Sequence, residues 1–255
     1  MLAVRDTTEN RLRTDATVKV PLSKPANSKQ ARLVQEWLGL HGHHVVIDND
    51  FGDATEAAVM DFQRKSGLQP TGQVDQGTMD ALVQPMLRAI APDSSPAATI
   101  AGQAVRVARR HLAEHPREIA GPNCGPWVRL YMGGHEGKKF LWCAGFVSYV
   151  LGQACRDLDQ ARPLVSSQSC DALARDAKER QTFFPGGGGT RPQPGWVFVR
   201  RKSADDWTHT GLVISAEPSV FRTIEGNTND DGSREGFEVC SLTHAYADKY
   251  DFIKI

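Results

Sequence analysis

The sequence predicts an α+β protein: a small three-helix bundle, then a second domain with its helices first and an antiparallel sheet last. Three observations carry this. Between residues 28 and 86, apolar residues recur at helical spacing and are interrupted by capping and turn signals. A stretch rich in Pro, Ser and Ala, "APDSSPAATIAG", then separates that part from the rest. Beyond Pro194 the apolar period shortens from that of a helix to alternation, with turn residues between the runs. A chain of 255 residues accommodates two domains, and 40% apolar residues suffice for packed cores.

The elements follow in order. Residues 1–27 are polar, carry Pro21 and Pro25, and read as a flexible tail. The first domain spans 28–88. Ser28 is an N-cap for a helix with Val34, Trp37, Leu38 and His41 on one side. Asp53 opens a second helix, and Glu56 three residues later suggests a capping box. Thr55, Ala58, Val59 and Phe62 form its inner face, and Gly67 fits its end. Asp75 opens a third, with Met79, Leu82 and Val83 inward. Residues 89–101 form the linker, and 102–255 the second domain. That domain begins with the helix "QAVRVARRHLA", turns at "GPNCGP", and continues into an apolar helix from Cys143 and a short one near Cys170. "PGGGG" from Pro185 reads as a flexible loop. "GWVFVRR", "THTGLVIS", "VFRTIEG" and "YDFIKI" are the strands. Helices followed by strands argue for an antiparallel α+β arrangement.

Charge and cysteine content exclude several classes of function. Thirty basic residues balance thirty acidic ones, so neither nucleic acid nor an anionic membrane is expected as a partner. No apolar run is long enough to span a bilayer. The first twenty residues are charged and lack the apolar core of a signal peptide. The expectation is a protein made in the cytoplasm and delivered elsewhere by another route. The five cysteines show no compact disulfide spacing and no zinc-ligand pattern. "DNDFGD" is rich in oxygen donors but lacks the spacing and closing glutamate of an EF-hand. No metal and no cofactor is expected.

One stretch, "KFLWCAGFVSYVL", raises a chemical question. A cysteine in an apolar run is ordinarily a small core residue. Here Cys143, Phe146, Val147, Val150, Leu151 and Ala154 lie on one helical face, with Cys143 at its head and the loop "GGHEGKK" before it. A thiol in the first turn meets unpaired N–H groups and the positive end of the helix dipole, which favour the thiolate. The same groups can donate to a developing oxyanion. A thiolate of this kind needs a base. Of the eight histidines, His209 stands at the mouth of the strand "HTGLVIS", where Gly211 leaves room for a helix or substrate to approach. His41, His43, His44, His111, His115, His135 and His244 read as solvated or structural. The base needs an orienting partner. Glu225 and Asn227, two apart in "IEGN", share a face if the strand persists. One can hold the imidazole, while the other holds the first or binds the intermediate. Cysteine helix, histidine strand, then acid or amide strand is the papain-like plan, recognised by roles rather than positions.

"GPNCGPWVRLYM", "WCAGFVSYVL", "PGWVFVRR", "HTGLVIS" and "IEGNTND" together resemble a CHAP domain, the cysteine, histidine-dependent amidohydrolase/peptidase family. The resemblance implies a papain-like domain that cuts amide bonds of bacterial peptidoglycan. It implies Cys143 as nucleophile, His209 as base, and Glu225 and Asn227 as the polar groups completing the site. Two positions depart from the family pattern: Trp196 stands where aspartate is usual, and Cys124 occupies the turn, where it would be a second thiol near the cleft. Residues 29–84, through "VQEWLGLHG" and "DNDFGDATEAAVMDFQRKSGLQPTGQVDQGTMDAL", resemble a three-helix peptidoglycan-binding domain. Asn49-Asp50 replaces the usual Asp-Gly there.

The two resemblances agree on one substrate. They imply a lytic hydrolase of the stem peptide or the sugar–peptide junction, working through a thioester. It would be an N-acetylmuramoyl-L-alanine amidase or a peptidoglycan endopeptidase, acting in the periplasm or outside the cell after release at lysis or injection. A phage or prophage endolysin fits this. So does an antibacterial effector, for which an immunity protein would be a partner. The alternatives are a non-catalytic wall-binding protein and a cytosolic papain-like amidase acting on a small peptide conjugate.

Overall fold

The computed structural model describes residues 18–187, 189–229 and 236–255. Among these it has seven helices and a six-stranded antiparallel sheet, and it divides into two compact units. Of the tail and linker expectations, residues 1–17 lie outside the described residues, as does Gly188 of the glycine loop.

The first unit comprises the described residues up to Leu87, together with Arg117–Gly137. Its helices are α1 (Lys29–Leu40), α2 (Asp53–Lys65) and α3 (Gln76–Ile90), which runs on past the unit's boundary. Val34, Trp37, Leu38, Val59, Phe62, Met79, Leu82 and Val83 form its core. Ser28 caps α1 by accepting from the Ala31 N–H. Asp75 accepts from Thr78 N at 2.7 Å and caps α3 in the same way. The capping box expected at Asp53 is absent. Gly52 is the N-cap with no side-chain bond, and Asp53 is the first helical residue. Asp53 and Glu56 turn outward instead and share Lys24, at 2.7 and 2.5 Å. Residues 18–27 are not a loose tail. Val18 and Leu22 are buried, Leu22 bridges Val74, and β1 (Ala26–Asn27) pairs with β2 (Asp50–Phe51).

Two buried glutamines organise the long connections of this unit. Gln35 on α1 accepts from the Asp48 and Asn49 N–H groups and donates to Asp48 Oδ1, Asp50 O and Thr55 Oγ1. Gln63 on α2 accepts from Gly72 N and donates to Thr71 Oγ1, Gln73 O and Thr78 Oγ1. Each amide thereby satisfies the polar groups of the turn that leads into the next helix. The oxygen atoms of "DNDFGD" are in part committed to this network, and no group of metal-ligating side chains is found among the described residues.

Segment 117–137, with the turn "GPNCGP" and the short helix α5 (Pro126–Tyr131), groups with the first unit although the sequence boundaries assign it to the second domain. The reason lies in its arginines. Arg129 bridges Glu36 and Glu136, each at 2.7 Å, and Arg117 donates to Leu40 O at 2.6 Å.

The second unit comprises Arg88–Pro116 and the described part of Lys138–Ile255. The stretch expected to be a linker is fastened to this unit. Asp93 accepts from Arg106 and Gln103, and Thr99 caps α4 (Ile100–Ala113). α6 (Cys143–Asp157) packs against α4 and the sheet, and α7 (Cys170–Glu179) packs on the sheet beside it. The sheet runs β3-β8-β4-β5-β6-β7, with β3 (Phe183–Phe184), β4 (Val197–Ser203), β5 (Asp206–Ala216), β6 (Val220–Thr228), β7 (Glu238–Ala245) and β8 (Tyr250–Ile253). β3 and β7 were not foreseen from the sequence. Trp196 belongs to the aromatic cluster of Phe198, Phe221, Tyr250 and Phe252 and stacks on Phe184. No helix among the described residues is long and apolar enough to cross a membrane.

Candidate active site

The site is built where α6 begins and the central strands β5 and β6 run beside it. α6 is buried from Cys143 to Cys155, on all sides rather than on one face, so it is an enclosed core helix. Cys143 is its first residue and is 5% exposed. The N-cap, Trp142, makes no side-chain cap bond. The first-turn N–H groups are therefore not consumed by a capping side chain, and the Ala144 N–H favours the charged form of the Cys143 sulfur.

The helix start is fixed by β6. The Trp142 N–H donates to Asn227 Oδ1 at 2.8 Å, and Asn227 Nδ2 donates to Gly236 O at 2.7 Å. Close approach is allowed by Gly226, where a Cβ would fall 2.7 Å from both the Phe146 Cβ and the Trp142 ring. Strand geometry does not persist through this point as a uniform ladder. The β6–β7 register shifts between Glu225 and Thr228, and Asn227 has a φ of 56°. The two polar residues consequently serve different neighbours. Asn227 holds the backbone at the cysteine, and Glu225 holds the histidine.

His209 on β5 is buried, and its Nε2 lies 2.7 Å from Glu225 Oε2. The expectation for Gly211 is space for a helix or substrate to approach. In the structure that space belongs to the carboxylate side chain. A Cβ on Gly211 would meet the Glu225 Cγ at 2.5 Å and the Phe198 ring at 2.8 Å. A glycine on β5 thus lets Glu225 lie across from β6 and reach His209.

Glu225 is almost completely enclosed and is held from several sides. His244 Nε2 is 2.6 Å from its Oε1, Thr223 Oγ1 donates to the same oxygen, and Tyr250 Oη lies 3.3 Å from His244 Nδ1. Burial alone would raise the carboxyl pKa. The bonds from His209 and His244 outweigh it and hold the group down at about 2. An ionised carboxylate only accepts, which assigns the N–H of His209 to Nε2 and leaves Nδ1 as the ring's basic nitrogen. That Nδ1 is buried with no formed hydrogen bond among the described residues. Burial pushes the imidazole pKa down, but the neighbouring Cys143 sulfur and Glu225 carboxylate override it and raise it to about 10.

The sulfur is influenced from several directions. Cys170 Sγ lies 3.9 Å away, and its thiol is the strongest influence lowering the Cys143 pKa. Burial opposes it, and His209 adds to the lowering, which leaves the thiol well below its ordinary value near 9. The lowered thiol and the raised imidazole both favour moving the proton from the Cys143 sulfur to His209, whose ring is oriented by a carboxylate.

All four residues singled out in the sequence, Cys143, His209, Glu225 and Asn227, meet in this region. His244, Thr223 and Cys170 were missed. The signal for His244 was present but weak: Cys240, Leu242 and His244 alternate toward the inside of β7 with exposed Ser241 and Thr243 between them. Nothing in the spacing of 143 and 170 indicated that two helix starts meet. The thiol beside Cys143 is thus Cys170. Cys124 belongs to the first unit, where its Sγ donates to Pro122 O.

A comparison with curated proteins finds no match to the chain. Residues 27–82, which hold the three helices and both glutamine-clamped turns, match the family model described as a putative peptidoglycan-binding domain.

Proposed function

We propose that the protein is a peptidoglycan hydrolase that cleaves an amide bond through a cysteine thioester. It binds the wall with residues 27–82 and reacts with Cys143. The observation that carries this reading is the buried Cys143–His209–Glu225 arrangement, with Nε2 of His209 bonded to the carboxylate at 2.7 Å and Nδ1 left for the thiol side. The resemblance of the sequence stretches around Cys143, His209 and Glu225 to the CHAP family supports the same assignment.

In this mechanism the Cys143 thiolate attacks the carbonyl carbon of the scissile amide. First-turn N–H groups of α6 stabilise the oxyanion. The C–N bond breaks, and His209 gives its proton to the departing amine. Water, deprotonated by His209, then attacks the thioester and frees the carboxylate and the thiol. Glu225 keeps the imidazole oriented and its positive charge compensated, and Asn227 fixes the helix start. The binding unit raises the local concentration of substrate without altering the chemistry. Delivery to the wall would follow lysis or injection, with an immunity protein as partner in the second case.

The test is incubation of purified sacculi with the protein and with Cys143→Ala, followed by mass spectrometry of the soluble fragments. New amino termini released by the wild type alone are expected, and they name the bond. The match at residues 27–82 is also compatible with a wall-binding protein that performs no catalysis. Sacculi that bind the protein but release no fragments would favour that reading.

A further inference from the structure

Cys170 is not required by the mechanism above, yet it is the thiol nearest the nucleophile. Its position is fixed rather than incidental. Cys143 is the first residue of α6 and Cys170 the first residue of α7. The start of α6 is tied to β6 through Trp142 N and Asn227. The start of α7 is tied to β5, because the Trp207 N–H donates to Asp171 Oδ1 at 2.7 Å. Ser169 caps the same turn through Ala172 N. Two helix N-termini pinned to adjacent strands bring two sulfur atoms to 3.9 Å. A disulfide needs an S–S distance of about 2 Å, so the sulfurs must close by roughly a further 2 Å, within reach of side-chain rotation and a small helix shift. None of the five cysteines is in a disulfide.

We propose that Cys143 and Cys170 form a reversible oxidation site for hydroperoxides, with Cys170 as the resolving thiol. The Cys143 thiolate attacks one oxygen of hydrogen peroxide, the O–O bond breaks, and a sulfenic acid and hydroxide result. The Cys170 sulfur then attacks the sulfenic sulfur, the S–O bond breaks, the thiol proton goes to the leaving oxygen, and a disulfide and water form. Peroxide is reduced by two electrons and the thiol pair is oxidised by two. A small-molecule dithiol reverses the step by exchange. A cysteine at a helix start, held as thiolate by its surroundings, is the kind that reacts this way. The covalent state of the two sulfurs does not depend on the hydrolase assignment. Only its consequence, a blocked nucleophile, rests on that reading.

The experiment treats the full-length protein with stoichiometric hydrogen peroxide, alkylates the remaining thiols, and maps peptides by mass spectrometry before and after dithiothreitol. The expected result is a cross-linked pair of peptides containing Cys143 and Cys170, lighter by two hydrogens, with both thiols recovered on reduction. In Cys170→Ser given at least two equivalents of hydrogen peroxide, Cys143 is expected to pass through sulfenic acid with the first and reach sulfinic acid with the second, which dithiothreitol does not reverse. Wild-type protein whose Cys143 is over-oxidised while Cys170 stays alkylatable would overturn the proposal. So would protein in which both thiols stay reduced, or in which either joins a different cysteine. Wall hydrolysis without this cross-link would leave the proposed function standing and remove only the oxidation site.

Discussion

The first unit buries neutral amides, whereas the second buries charge. Gln35 and Gln63 are both about 1% exposed, and each side chain has every polar atom engaged by turn backbone or side chains. Glu225 is equally buried, but it is held as a carboxylate between two histidines, and the chain of bonds it anchors ends at His209, on which the Cys143 sulfur acts without a formed hydrogen bond among the described residues. Buried polar groups that are fully satisfied specify a fold. A buried charged network that stops short leaves a reactive atom poised, at a cost in stability that the rest of the unit must offset. Polarity in a core therefore has two meanings here, and the completeness of hydrogen bonding separates them.

Two substitutions sharpen this contrast. The larger effect is expected from Glu225→Gln, which removes the charge while keeping the shape. Uncoupling a buried ion pair costs about 3–5 kcal/mol, and the loss should depend on pH. The folded pKa of Glu225 is depressed, so its contribution is fully present above 4.5, the unfolded value, and is lost as the pH falls through about 2. Thermal melting should show a large gap between wild type and variant at pH 6 that narrows steadily below pH 4.5. A gap independent of pH would mean the carboxylate is merely packed.

A smaller effect is expected from Gln35→Leu. It orphans the Asp48 and Asn49 N–H groups, but both are partly accessible to water, so the two together cost well under the full penalty of about 1–3 kcal/mol that each would carry if buried. Calorimetry should show a drop with little pH dependence. Binding to sacculi should weaken, while alkylation of Cys143 should keep its wild-type rate. A pH-dependent loss here would erase the distinction between the two regions.

The helical periods and the late alternation made the fold class legible in the sequence. Ser28, Asp75 and Thr99 cap helices, two of which were foreseen at those residues. Asp53 misled because a cap and a first-turn carboxylate look alike in sequence, and Lys24, which decides between them, lies on a distant segment. The placement of 117–137 was hidden for the same reason, since Arg129 reaches Glu36 across ninety-three positions. In the site, Cys143 and His209 could be singled out from local pattern, at a helix start and on a central strand. The division of labour between Glu225 and Asn227 could not, because it follows from a register shift and a positive φ that alternation does not reveal. His244 and Cys170 emerged only when strand and helix partners were known.

The central claim is that Cys170 and His209 together favour the Cys143 thiolate, with the His209 part removable by substitution. The direct measurement is the rate of iodoacetamide alkylation at Cys143 as a function of pH, in wild type and in His209→Gln, followed by mass spectrometry of the labelled peptide. Wild type is expected to keep its rate far below pH 9, the range where an ordinary thiol loses reactivity, and the variant's profile should shift upward toward pH 9. Superimposable profiles, both rising only near pH 9, would contradict the account.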